Sequence, residues 1–421
     1  MRTADSRPST RKAARGKRVG ICLLAALAGG LVAVGCGSGT PITNPPPPPP
    51  PNNTLPIEVT LGPTGSYVNG VFASVTICAP GTAQCDTIPD VLVDTGSIGL
   101  RILASATTLN YPQINDSVGN PLAECLQFQD SFVWGPVVSA DVIMAGEKAD
   151  SVPVQIIGSG AINGNANFPA PPSACTSSGL PSNDSVKTLG ANGVLGIGVF
   201  RHDCGSACAP GSSSVPALYF SCPSSGCTTS AVDLTNQVQN PVWLLPRDNN
   251  GVVVTLPSIS PQGAVTVSGS IRFGIGTQSD NVLGQAKIFN TDSSGNIHTQ
   301  FNSKQYTSFI DSGSNGIYFL DSPTTGLPLC STNKGFYCPS PAANLSATNI
   351  GTAPGQSGPV SFTIDDAETL LSNPNFAAFN DLGGPNPNAF DWGLPFFYGR
   401  SVFFAINTLS TPAGPGPYFA Y

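Results

Sequence analysis

Two aspartates, each inside a copy of one eleven-residue pattern, are the residues of this chain best suited to chemistry. Val93-Asp94-Thr95-Gly96-Ser97-Ile98-Gly99-Leu100-Arg101-Ile102-Leu103 returns as Ile310-Asp311-Ser312-Gly313-Ser314-Asn315-Gly316-Ile317-Tyr318-Phe319-Leu320. Two carboxylates held side by side cannot both ionise, so such a pair shares one proton near neutrality. The ionised member can take a proton from a water between them. The protonated member can give one to a carbonyl oxygen or a leaving nitrogen. That is acid–base hydrolysis of an amide, with no metal, no cofactor and no covalent intermediate. The competing reading is a duplicated β-domain whose aspartates brace turns.

Apolar residues precede both copies (Val91-Leu92-Val93 and Phe309-Ile310), so a buried strand delivers each aspartate to a glycine turn. A carboxylate there needs hydroxyls and backbone N–H groups around it. Thr95, Ser97, Ser312 and Ser314 supply the hydroxyls, while Gly96 and Gly313 let the backbone fold close. The duplication implies two similar β-rich halves, 56–245 and 246–421. Period-two or apolar runs predict strands at 57–61, 67–77, 91–94, 137–144, 152–157, 192–198, 241–245, 251–256, 264–274 and 401–406. Residues 125–128 and 132–134 read as a hairpin. Helix is scarce; 364–371, opened by Asp365-Asp366, is the best candidate.

Composition narrows the setting. Charged residues are 10% of 421, with 47 Gly and 41 Pro, the profile of an exported, turn-rich β-protein. Arg11, Lys12, Arg15, Lys17 and Arg18 precede an uncharged apolar run from Val19 to Val34, which reads as a signal peptide over 1–35. It ends in Ala33-Val34-Gly35-Cys36, similar to a bacterial lipobox, so Cys36 is the expected lipidation site. Residues 36–55, with prolines unbroken from Pro45 to Pro51, read as a semi-rigid tether. Residues 1–35 hold seven of the 17 Lys+Arg and one of the 24 Asp+Glu, so the remainder carries a net charge of −13. That acidic, sparsely charged body argues against nucleic acid as a partner.

Beyond Cys22 and Cys36, ten cysteines remain. Eight fall into near pairs, Cys78/Cys85, Cys204/Cys208, Cys222/Cys227 and Cys330/Cys338, leaving Cys125 for Cys175. Five disulfides are expected in an exported chain. Zinc at Cys204, Cys208, Cys222, Cys227 and His202 is the rival reading, disfavoured by the oxidising compartment. His202 and His298 are the chain's two histidines, and neither stands in a nucleophile context; His298 reads as a surface-loop residue. No Gly-x-Ser-x-Gly elbow or phosphate-binding loop occurs.

Both Asp-Thr/Ser-Gly-Ser motifs match the signature of pepsin-type aspartic peptidases, and the chain resembles that family over nearly all of residues 56–421. Gly193-Val194-Leu195-Gly196-Ile197-Gly198 and, less closely, Trp392-Gly393-Leu394-Pro395-Phe396-Phe397 resemble the apolar segments that pass beside the family's two catalytic loops. The resemblance implies an all-β, bilobal fold with pseudo-twofold symmetry. It implies Asp94 and Asp311 as a catalytic dyad, Thr95 and Ser312 in crossed hydrogen bonds, and Ser97 and Ser314 beside the carboxylates. Together with the amino-terminal features, the whole resembles an uncharacterised group of proteobacterial lipoproteins. The expected protein is therefore a monomeric endopeptidase of the bacterial cell envelope. A lipid anchor would hold it to the outer membrane, facing periplasm or outside, with a peptide or protein substrate in the interlobe cleft. Two departures are visible. The family's flap tyrosine falls on Phe128, seven residues before Gly135, and its supporting tryptophan falls on Arg101. They favour an alternative, a catalytically weak scaffold that binds peptides or other ligands at the surface.

Overall fold

Short strands joined by turns account for most of the chain, because apolar side chains recur at every second position. The structure, a computed structural model, describes residues 53–421. The expected signal peptide and Cys36 lie outside the described residues, as does the proline run. Strand β1 (Thr54–Thr60) shows the rule: Leu55, Ile57 and Val59 are buried while Pro56 and Glu58 face out. It pairs antiparallel with β2 (Gly70–Cys78) on one edge and with Val267–Phe273 on the other. Next come β3 (Cys85–Asp94), β4 (Ile98–Leu103) and the hairpin of β5 (Leu122–Gln127) with β6 (Phe132–Met144). β7 (Glu147–Ile157) turns back antiparallel along β6.

A 15-stranded sheet contains all seven of these strands and continues into the second half through Val267–Phe273, Gly251–Leu256 and Arg400–Ala405. It therefore runs through the division expected near Leu245. A second sheet of seven strands belongs to the second half alone, including Lys304–Ile310, Ile317–Leu320 and Asn386–Trp392. Its core is aromatic: Phe319 stacks on Phe390 at 5.1 Å, and Trp392 packs against Phe362 and Phe396. The first half buries mainly Val, Ile and Leu, among them Val75, Val93, Leu100, Ile102 and Ile156. All five expected disulfides are present: Cys78–Cys85, Cys125–Cys175, Cys204–Cys208, Cys222–Cys227 and Cys330–Cys338.

Helices among the described residues are single turns. Asp366 caps the best-predicted one, Ala367–Leu370, by accepting from the Glu368 and Thr369 N–H groups. Two local expectations fail. Pro241–Leu244 is a 3-10 turn and not a strand, because Asn240 accepts from the Val242 N–H and proline fixes the first position. His298 lies in the strand Ile297–Phe301, paired with Thr307 and Ile350, and not in a loop. Its polar neighbours alternate with buried Ile297, Thr299 and Phe301, a half-buried strand pattern.

Candidate active site

Each aspartate stands where a strand ends, and each half builds that place in the same way. β3 stops at Asp94 and β4 begins at Ile98. Between them lies the strand Gly193–Ile197, parallel to β3 (Leu195 opposite Val93) and antiparallel to β4 (Leu195 opposite Leu100). In the second half Lys304–Ile310 stops one residue before Asp311, and Ile317–Leu320 follows the loop. Asn386–Trp392 lies between them, with Trp392 opposite both Ile310 and Ile317. An inserted strand forces the two loops out of their sheets, toward each other.

The loops interlock reciprocally. The Thr95 N–H donates to Ser312 Oγ at 3.1 Å, and the Ser312 N–H to Thr95 Oγ1 at 2.9 Å. Each hydroxyl then donates to the strand before the other aspartate, Thr95 to the Ile310 carbonyl and Ser312 to the Val93 carbonyl. All four groups are buried and satisfied, so the cross-link resists sliding of one half on the other. The glycines are required by proximity: a Cβ on Gly96 would stand 2.6 Å from Asp311 Cγ, and one on Gly313 2.8 Å from Asp94 Cγ. Each loop's glycine admits the other loop's carboxylate.

The two carboxyls consequently lie within hydrogen-bonding reach of each other. Asp94, 6% exposed, accepts from the Gly96 and Ser97 N–H groups through Oδ1. Asp311 accepts from the Gly313 N–H at Oδ1 and from the Ser314 hydroxyl at Oδ2. Burial pushes Asp311 well above the usual carboxylate range, and the charges of Asp94 and Asp391 push it further. Asp391 itself is raised to about 8, chiefly by burial and then by Asp94, with the hydrogen bond to Ser314 opposing. A proton-sharing pair with a third carboxylate behind it can act as acid and base at once.

The hairpin of β5 and β6 carries Phe128 beside its tip, where the Phe128 N–H donates to the Ser131 carbonyl. Phe128 packs onto the cluster of Phe72, Leu103 and Val133, and Tyr67 packs onto the same cluster. Tyr67 brings a phenol to the site from the connection between β1 and β2. Burial and the charges of Asp94, Asp130 and Asp311 raise its pKa. Two residues on, fully buried Asn69 pins this connection to the second half. Its amide donates to the Asn315 and Phe379 carbonyls, each at 2.8 Å, and its Oδ1 accepts from the Phe379 N–H and the Tyr398 hydroxyl. Tyr67, Asn69 and Asp391 escaped the reading of the sequence. The available signal was an aspartate inside the apolar run Phe390-Asp391-Trp392.

Arg101, in the place of the family's tryptophan, is fully buried. It pairs with Glu124 of β5 at 2.5 Å and with Asp203 at 3.1 Å, and donates to the Ile98 carbonyl. The base of the hairpin is thus tied to the strand leaving Asp94 by an ion pair. The cysteines of the rival zinc reading are bonded as Cys204–Cys208 and Cys222–Cys227, so no thiolate is available there.

Solved structures similar to this one include the crystal structure of an aspartic proteinase from Irpex lacteus. The TM-score is 0.50 at 11% sequence identity, over 87% of this chain and 96% of that one. At that identity the likeness concerns the fold, which is all-β, bilobal and pepsin-like. Among curated proteins no sequence relative was found. Residues 49–421 match a family described as "Protein of unknown function (DUF3443)", and the chain belongs to that family.

Proposed function

We propose that the protein is an aspartic endopeptidase in which Asp94 and Asp311 share one proton and activate a water against a peptide bond. One observation carries the reading: two interlocked loops bring two carboxyls within hydrogen-bonding reach, with Asp311 raised in pKa and no cation beside them among the described residues. A structural brace has no use for that arrangement, since burying like charges together is costly. In the reaction the ionised carboxylate takes a proton from the bound water as its oxygen attacks the carbonyl carbon. The protonated carboxyl gives its proton to the carbonyl oxygen, and the amine leaves after protonation at nitrogen. Both proton roles are filled by this chain's own side chains.

A second reading, a surface scaffold that binds peptides without useful turnover, is favoured by Phe128, which puts no hydroxyl at the position of the flap tyrosine. Incubating the chain from residue 53 onward with a peptide library between about pH 3 and 8 separates the two. Cleavage by the wild type and none by Asp94→Asn supports the peptidase; binding without cleavage in both supports the scaffold. We also propose tethering to the outer membrane through a diacylglyceryl group on Cys36, with the body a monomer. Mass spectrometry of the mature amino terminus and membrane fractionation of Cys36→Ala test the anchor. Fractionation of the Cys36→Ala variant with membranes would contradict it.

A further inference from the structure

The two halves of the site match in their loops and differ behind them. Ser314 Oγ lies 2.9 Å from Asp311 Oδ2 and 2.6 Å from Asp391 Oδ2. A hydroxyl has one proton to donate. It cannot serve two carboxylates, so one of the two acids carries a proton and donates to Ser314. Asp391 is the better place for that proton. It is 7% exposed, and its Oδ1 is buried with no hydrogen-bond partner among the described residues. In the first half the equivalent position, opposite Leu92, is Val194. There the Ser97 hydroxyl is buried with no hydrogen-bond partner among the described residues. The second half therefore contains a carboxyl–hydroxyl–carboxyl chain that the first half lacks.

We propose that Asp391 is a proton reserve for the pair, connected to Asp311 through the Ser314 hydroxyl. This rests on the peptidase reading of the same site. Once Asp311 has given its proton to the carbonyl oxygen, two transfers restore it. The Ser314 Oγ–H bond breaks as an O–H bond forms on Asp311 Oδ2, and the Asp391 Oδ2–H bond breaks as Ser314 Oγ is reprotonated. One negative charge moves from Asp311 to Asp391; when the intermediate collapses, the two transfers run in reverse and the proton on the substrate oxygen returns to Asp311, so the cycle closes. The groups acting on Asp391 are Asp94, Asp311, Ser314 and Tyr318, the last lying opposite it on the neighbouring strand. No cation is among them. Asp391 is a positioning and proton-supplying residue, since it touches Ser314 and not the substrate.

The test uses full-length protein, as wild type and as Asp391→Asn, read by infrared spectroscopy and by peptide hydrolysis against pH. Wild type is expected to show a protonated-carboxyl stretch at pH 7 that fades through about pH 8. Asp391→Asn loses that component, because the amide keeps the hydrogen bond but not the exchangeable acid. Its kcat falls about tenfold with KM unchanged, and the basic limb near pH 8 disappears. An unchanged spectrum together with an unchanged pH profile overturns the proposal. If no protein cleaves peptide, the spectrum still decides whether Asp391 holds the proton, and only the peptidase reading falls. Should Asp391→Asn not fold, Ser314→Ala cuts the chain with the acid in place. The carboxyl band then remains while kcat drops; wild-type kcat in that variant also overturns the relay.

Discussion

Two clusters of buried acids in this protein are built on different principles. Around Arg101, the carboxylates of Glu124 and Asp203 share one guanidinium, and the Tyr219 hydroxyl donates to Asp203. Around Asp311, the carboxyls of Asp94 and Asp391 gather with hydroxyls and backbone N–H groups and, among the described residues, no cation. A guanidinium makes the first cluster a brace: it cancels one charge, and Asp203 is raised by burial and by the second carboxylate, Glu124. Without one, the second cluster must keep protons to stay neutral, and Asp311 and Asp391 are both raised. One cation answers one buried acid and ties the cluster together; acids beyond that number are pushed toward their protonated form.

The largest effect expected from breaking this contrast is at the brace. Arg101→Met leaves two carboxylates buried without their cation and costs about 3–5 kcal/mol of stability, measured by urea unfolding. A loss below about 1 kcal/mol would mean the guanidinium does not hold the hairpin base.

Stability against pH sharpens the other side. A carboxyl whose folded pKa is raised makes its full contribution below its unfolded value. That contribution is lost as pH climbs through the folded value. For Asp391 the window runs from 3.8 to about 8, with a slope of at most about 1.4 kcal/mol per pH unit. Asp391→Asn should flatten the decline of stability between those limits; an unaltered slope would place the raised acid elsewhere. The smallest effect is at the hairpin. Phe128→Tyr restores a hydroxyl over the site and should raise kcat about fivefold, the worth of one neutral hydrogen bond. If Tyr67 already fills that role, kcat stays where it was.

Legibility in the sequence followed how local each cause was. Asp94 and Asp311 were visible because one pattern occurs twice, and the disulfides because four of five close loops of a few residues. Thr95 and Ser312 came with the motif. Asp391 went unseen because its meaning depends on Ser314, 77 residues away, and Asn69 because its partners lie 246 to 329 residues on. Pro241–Leu244 misled because its apolar side chains outweighed the Asn240 cap. Arg101 read as a missing tryptophan until its two buried acids gave it a different means of support.

The central claim is that Asp94 and Asp311 work as one proton-sharing pair. Its most direct test is peptide hydrolysis by Asp94→Asn and Asp311→Asn, each paired with its melting temperature at pH 7. The amide fills the same space but cannot both take and give a proton. Each variant should lose at least about a thousandfold in kcat while melting no lower than wild type. Equal, non-zero cleavage by all three proteins, or lowered melting with activity intact, would contradict the account.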